Sequence, residues 1–110
     1  MPNYSRNDVV LVRYPFTASP AVKVRPAIVV NGPHVSQDTL VVPLTSRTKS
    51  LLPGEFVLAN WAEAGLHVPT AVKRGLYTVH QTLILKRVGQ LTPADAQQLE
   101  LSLRQWLGLK

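Results

Sequence analysis

For roughly its first ninety residues the chain carries apolar positions in short runs, and after that at helical spacing. Val9-Val10-Leu11-Val12 lies between Asn7-Asp8 and Pro15 and is rich in β-branched residues, which favour a pleated strand. Ala27-Ile28-Val29-Val30 stops at Asn31-Gly32-Pro33, a strong turn signal. Leu40-Val41-Val42 runs into Pro43-Leu44-Thr45-Ser46, and Glu55-Phe56-Val57-Leu58 follows Pro53-Gly54. Residues 71–79 form a fifth, interrupted stretch with Gly75 as a candidate bulge, and Val88-Gly89-Gln90-Leu91 reads as a short last strand. A strand with one wet face alternates apolar and polar residues. The near-continuous runs at 9–12 and 41–44 therefore predict strands covered on both faces.

At Thr92-Pro93-Ala94-Asp95 the period changes. A Thr cap, Pro in the first turn and an acid three residues on predict a helix start. Ala96, Leu99, Leu103, Trp106 and Leu107 then recur at helical spacing, and Gly108 is a natural stop. This stripe should close the sheet rather than do chemistry. Trp61-Ala62-Glu63-Ala64 is expected to form one helical turn between strands. The pattern predicts a mainly β fold with a C-terminal helix: a small, mostly antiparallel, barrel-like sheet. At 110 residues, with no internal repeat or linker, residues 1–110 are expected to form one domain.

Composition narrows the chemistry. With no cysteine there are no disulfides, thiolate zinc sites or cysteine nucleophiles. The polar residues 1–6 and the shortness of the run at 9–12 argue against a signal or membrane segment, so the cytoplasm is the expected location. Twelve Lys/Arg against six Asp/Glu give net +6, a field that concentrates polyanions. Between residues 13 and 49 stand Arg13, Lys23, Arg25, Arg47 and Lys49 against one acid, Asp38. Four of the five lie in or beside two predicted loops, 15–24 and 46–53, which could share a rim and line a groove for phosphates. Tyr14 and Phe16 flank the first loop; such rings either stack on unpaired bases or pack at the mouth of a barrel.

Arg25 precedes Pro26-Ala27-Ile28-Val29-Val30, where a strand is expected to enter the interior. A guanidinium there is costly to desolvate unless it meets an anion, and it can grip a phosphate through two parallel hydrogen bonds. The hydroxyls of Thr45 and Ser46 can donate to a phosphate oxygen or cap the following turn. His34, His67 and His80 sit in separate segments, with His80 the strongest candidate for proton transfer. No His/Asp/Glu cluster has metal-ligand spacing and no glycine-rich phosphate loop is present, so neither metal nor cofactor is expected.

Asn7-Asp8-Val9-Val10-Leu11-Val12, Val24-Arg25-Pro26-Ala27-Ile28-Val29-Val30 and Val42-Pro43-Leu44-Thr45-Ser46 resemble the three opening blocks of MazF/PemK-type toxins. Gly54-Glu55-Phe56, Gly65-Leu66, Thr78-Val79, Val88-Gly89-Gln90-Leu91 and the terminal Leu107-Gly108-Leu109 follow in the same order, so the likeness spans nearly the whole chain. The resemblance implies a compact SH3-like or CcdB-like barrel, a homodimer, and metal-independent, sequence-selective cleavage of single-stranded RNA. It implies catalytic roles for Arg25 and Thr45. Lys23, Ser46, Arg47, Lys49 and Phe16 are the residues expected to contact RNA. It also implies a cognate antitoxin whose acidic, flexible segment covers the groove. The chain departs from the pattern at Arg74-Gly75, where many relatives carry an acid-Gln pair, and at His80-Gln81, where Asp-Lys often stands. The first of these changes removes an amide that could read a base.

The implied reaction is attack of the ribose 2′-hydroxyl on the adjacent phosphate, leaving a 2′,3′-cyclic phosphate. Two other readings remain open at this point. A CcdB-like gyrase poison would use a terminal helix, and Gln105-Trp106-Leu107-Gly108 places a Trp and a Gly near the end as in that group. A non-catalytic RNA-binding module would show salt-dependent binding without cleavage.

Overall fold

The computed structural model describes residues 4–14, 23–32 and 37–110. Seven strands make one antiparallel sheet: β1 Asp8–Tyr14, β2 Lys23–Val29, β3 Asp38–Thr45, β4 Phe56–Val57, β5 Ala71–Val72, β6 Tyr77–His80 and β7 Ile84–Gln90. A 3-10 turn, Gln81–Leu83, joins β6 to β7, and helix α1, Pro93–Leu107, ends the chain. The order is β4-β5-β3-β2-β1-β7, leaving β4 and β7 at the ends of the hydrogen-bonded path. β3 has an edge shared by two partners: its first half pairs with β6 and its last two residues with β5.

Both faces of the central strands are covered, as their unbroken apolar runs require. Val9, Ile28, Val42 and Leu44 point to one face, where Leu58, Ala64, Val72, Leu91 and Leu99 complete a core. Val10, Val12, Ala27, Val29 and Val41 point to the other, against Val79 and Ile84. Alternate residues of one strand thus feed two cores, and a one-residue register slip would exchange them.

The helix forms as its sequence predicts, with Thr92 as N-cap, Pro93 in the first turn and Gly108 left-handed at φ 69°. The acid of the first turn has a different job from the one expected. Asp95 is buried and its carboxylate accepts from Ala59 N and Asn60 N, each at 2.9 Å. Trp106 packs against the first core and its Nε1 donates to Pro53 O at 3.0 Å, while Ser102 Oγ donates to Gly54 O at 2.7 Å. The tail that suggested a gyrase poison is thereby tied to the turn at 53–54.

Three elements differ from expectation. The stretch at 71–79 divides into β5 and β6, and Gly75 lies between them rather than in a bulge. The irregularities fall on β7 instead. Val9 faces Gly89 and Val10 faces Arg87, so Val88 is skipped; Leu11 faces Lys86 and Val12 faces Ile84, so Leu85 is skipped. Two extra residues coil β7 and let it begin well before residue 88. The expected strand at 55–58 shortens to Phe56–Val57. Residues 59–65 form turns, and Gly65, at φ 92°, has its backbone pressed on β7. A Cβ on Gly65 would sit 2.2 Å from Val88 O, and one on Gly89 would sit 2.1 Å from Ala64 O. Both glycines are needed for this backbone-to-backbone approach.

Candidate active site

The register of β2 and β3 builds the site. Their ladder runs from Val29 opposite Val41 to Ala27 opposite Pro43. Two residues further along each strand stand Arg25 and Thr45, which the same register sets across from one another. A cleft of about 610 Å³ opens there, lined by Arg25 and Pro26 from β2, residues 43–47 of β3 and its extension, Leu66, His67, Val68 and Thr70 of the following loop, and Lys73. Of the residues expected to act, Arg25, Thr45, Ser46 and Arg47 therefore meet in one place. Lys23 and Lys49 are exposed but do not line the cleft, and Phe16 and His34 lie outside the described residues.

Arg25 is exposed, which corrects the expectation of a costly buried guanidinium. Residues 24–26 pair with β1 alone, across from Arg13, Val12 and Leu11, because the β2–β3 ladder ends at Ala27. Arg25 therefore keeps its hydration, and among the described residues it has no carboxylate partner. Thr45 is half-buried, and its Oγ1 accepts from Arg47 N at 3.1 Å. This is the turn-capping bond such a residue favours. It consumes an acceptor site and leaves the hydroxyl proton to be donated, so capping and phosphate binding coexist.

The charge around the cleft is one-sided. Arg25, Arg47 and Lys73 supply cations, and among the described residues no Asp or Glu lines the cleft. The acids are spent elsewhere. Asp8 accepts from Ser5 N and Gln90 and lies 3.7 Å from Arg87; Asp95 holds two loop amides; Glu100 pairs with Arg6 and Arg104. Glu55 accepts from Leu52 N at 2.7 Å and Arg74 N at 2.8 Å. The Arg74 bond foremost, then the Leu52 bond, hold its carboxyl below the usual value. With Lys73 N donating to Pro43 O, these bonds fix the segment around Arg74-Gly75.

The histidines divide in a way that the sequence did not reveal. His80 is clamped away from the cleft: Nε2 is 2.9 Å from Gln37 Oε1, and Nδ1 is 2.9 Å from Thr82 Oγ1 and accepts from Thr82 N at 3.3 Å. It caps the 3-10 turn, and both its ring nitrogens have partners there. His67 faces the cleft instead. No local pattern marks it, because the fold alone brings its loop beside β2 and β3. Among the described residues no group of three or more His, Asp or Glu could hold a metal ion.

Comparison with known proteins bears on the fold and the family. The model of the PemK-like, MazF-like toxin of type II toxin-antitoxin systems matches residues 5–107. No curated protein matches significantly. Among solved structures, a MazE-MazF complex from Deinococcus radiodurans superposes with a TM-score of 0.80 at 16% identity, covering 99% of this chain and 100% of that one. An endoribonuclease in complex with its cognate antitoxin, from a mycobacterial species, gives 0.77 at 18%, covering 100% and 98%. The Mycobacterium tuberculosis toxin MazF-mt6 gives 0.75 at 18%, covering 94% and 98%. At these identities the structures establish a shared fold, and the family model, matching nearly the whole sequence, establishes kinship. The chain belongs to the PemK-like, MazF-like toxin family of type II toxin-antitoxin systems.

Proposed function

We propose that this toxin is an endoribonuclease that cuts single-stranded RNA in the cleft between Arg25 and Thr45. The observation that carries the reading is the convergence of Arg25, Thr45, Ser46, Arg47 and Lys73 around one cleft that no acid lines among the described residues. RNA is a polyanion, and such a wall attracts it and holds its phosphate. The 2′-hydroxyl attacks phosphorus, the P–O5′ bond breaks, and a cyclic phosphate remains. Arg25 stabilises the oxygens that gain charge, and the hydroxyl of Thr45 donates to one of them. Because the nucleophile belongs to the substrate, the reaction calls for no metal. Solved structures named as an endoribonuclease, one of them in complex with its cognate antitoxin, support the same reading.

An antitoxin with an acidic, flexible segment would silence the protein by occupying this cleft, and the active form is a homodimer in the cytoplasm. Among the described residues no helix is long and apolar enough to cross a membrane. The test is incubation of purified protein with RNA, with and without EDTA, and with a 2′-deoxy strand. Cleavage of RNA alone, indifferent to EDTA and yielding cyclic-phosphate ends, is expected. Intact RNA, or inhibition by EDTA, would overturn the proposal.

A further inference from the structure

The cleft is well supplied with donors and poor in acceptors. Guanidinium and ammonium groups carry no lone pair, so Arg25, Arg47 and Lys73 can bind a phosphate but cannot take a proton near neutral pH. Thr45 and Ser46 are hydroxyls, and a hydroxyl is a weak base. Yet attack by a 2′-hydroxyl requires that its proton go somewhere as the O2′–P bond forms. Among the described residues the cleft lining contains one side chain with a basic lone pair, the imidazole of His67.

His67 is also well placed to keep one position. Before it, Leu66 packs against the first core, and Leu66 N donates to Trp61 O at 3.1 Å. After it, Thr70 is buried, with Oγ1 donating to Val68 O at 2.8 Å and its carbonyl accepting from Leu58 N at 2.9 Å. The loop is thus pinned on both sides of a histidine that is exposed to the cleft. Among the described residues the His67 ring has no hydrogen-bond partner, whereas both nitrogens of His80 are engaged. Anchoring of the backbone together with a free side chain is what a proton-transfer group requires. The charged groups facing it are Arg25 from β2, Arg47 beyond β3 and Lys73 beyond β5.

We infer that His67 is the general base of the reaction, an inference that rests on the ribonuclease reading above. Its neutral ring takes the 2′-hydroxyl proton as O2′ bonds to phosphorus. The electron pair of the breaking P–O5′ bond leaves with O5′, which is protonated by water, and the imidazolium returns its proton to solvent. A base must be unprotonated to act, so the single-turnover rate should rise with pH along an acid limb and then level off.

The experiment measures this profile on an RNA site that the wild-type protein cuts, comparing His67→Gln, His80→Gln and Arg25→Ala, with folding followed by circular dichroism. Affinity is read in parallel with a 2′-deoxy version of the same strand. His67→Gln should be slower by about 100-fold or more, the usual worth of a positioned base, and lose the acid limb. It should bind the 2′-deoxy strand as wild type does, and added imidazole should restore part of the rate to His67→Ala. His80→Gln should keep the limb. A limb that persists in His67→Gln, or a wild-type rate in that variant, overturns the assignment while leaving the ribonuclease standing. RNA left intact by wild-type protein overturns both.

Discussion

The two ends of β3 share one strand and do opposite things with their polar groups. At the first end, Asp38–Val41 pair with β6, and Gln37, His80 and Thr82 satisfy one another through the imidazole. At the other, Thr45 pairs with Ala71, and beyond it Ser46 and Arg47 open into a cleft with Arg25, His67 and Lys73. One end spends its hydrogen bonds on holding a turn, and the other leaves donors and a base uncommitted. The difference teaches that in so small a sheet, site and scaffold are told apart by which groups have no partner rather than by residue type. Histidine occurs at both.

This contrast can be broken from either side. The largest effect is expected at the open end: Arg25→Ala should lower the RNA cleavage rate roughly 100–1,000-fold, equivalent to about 2.7–4 kcal/mol of lost oxyanion stabilisation, with the melting temperature unchanged. A melting shift in place of a rate loss would make Arg25 a scaffold residue. Thr45→Val removes the donated proton and the cap on Arg47 N together, and should cost roughly 10–100-fold, with Thr45→Ser recovering most of it. At the closed end the readout reverses. His80→Ala should lose about 1–2 kcal/mol of stability in denaturant titration and leave cleavage intact, since it removes neutral hydrogen bonds and nothing from the cleft. A rate loss without unfolding would undo the comparison.

Smaller effects sharpen it. Lys73→Gln should flatten the salt dependence of RNA binding by about 0.7 in the slope of log K against log salt, the share of one phosphate contact on a single strand. Glu55 tests the support beneath. Its folded carboxyl titrates below the ordinary 4.5, so its stabilising contribution is complete above that value and is lost as pH falls through the folded pKa. The stability advantage of wild type over Glu55→Gln should therefore hold at neutral pH and shrink in acid below 4.5. A constant gap across that window would mean the two amide bonds do not favour the charged form.

The sequence carries the parts of this fold that repeat a period. Continuous apolar runs in β1 and β3 predict two covered faces, and Leu99, Leu103 and Trp106 predict the packed side of α1. β7 escapes because its bulges at Leu85 and Val88 scramble the alternation that a reader looks for, and because Leu85, Lys86 and Arg87 are all exposed. Arg25 and Thr45 are legible through short blocks, and their meeting follows from a register that turn lengths set. Exposure of Arg25 is not legible, since it depends on where the β2–β3 ladder stops. His67 and Lys73 have no local signal at all. They enter the cleft because β5 pairs with the far end of β3, a contact between residues more than twenty positions apart.

Asp95 has a kinetic consequence. Its carboxylate ties the first turn of α1 to Ala59 N and Asn60 N, at the start of the turns that lead to His67. Those amides should be released to solvent exchange only when the helix lets go, so helix and turn would open as one cooperative unit. Any partner that grips α1 would then slow the breathing of the loop at the cleft without touching it, and hydrogen exchange at two loop amides would report events on a helix thirty-five residues later.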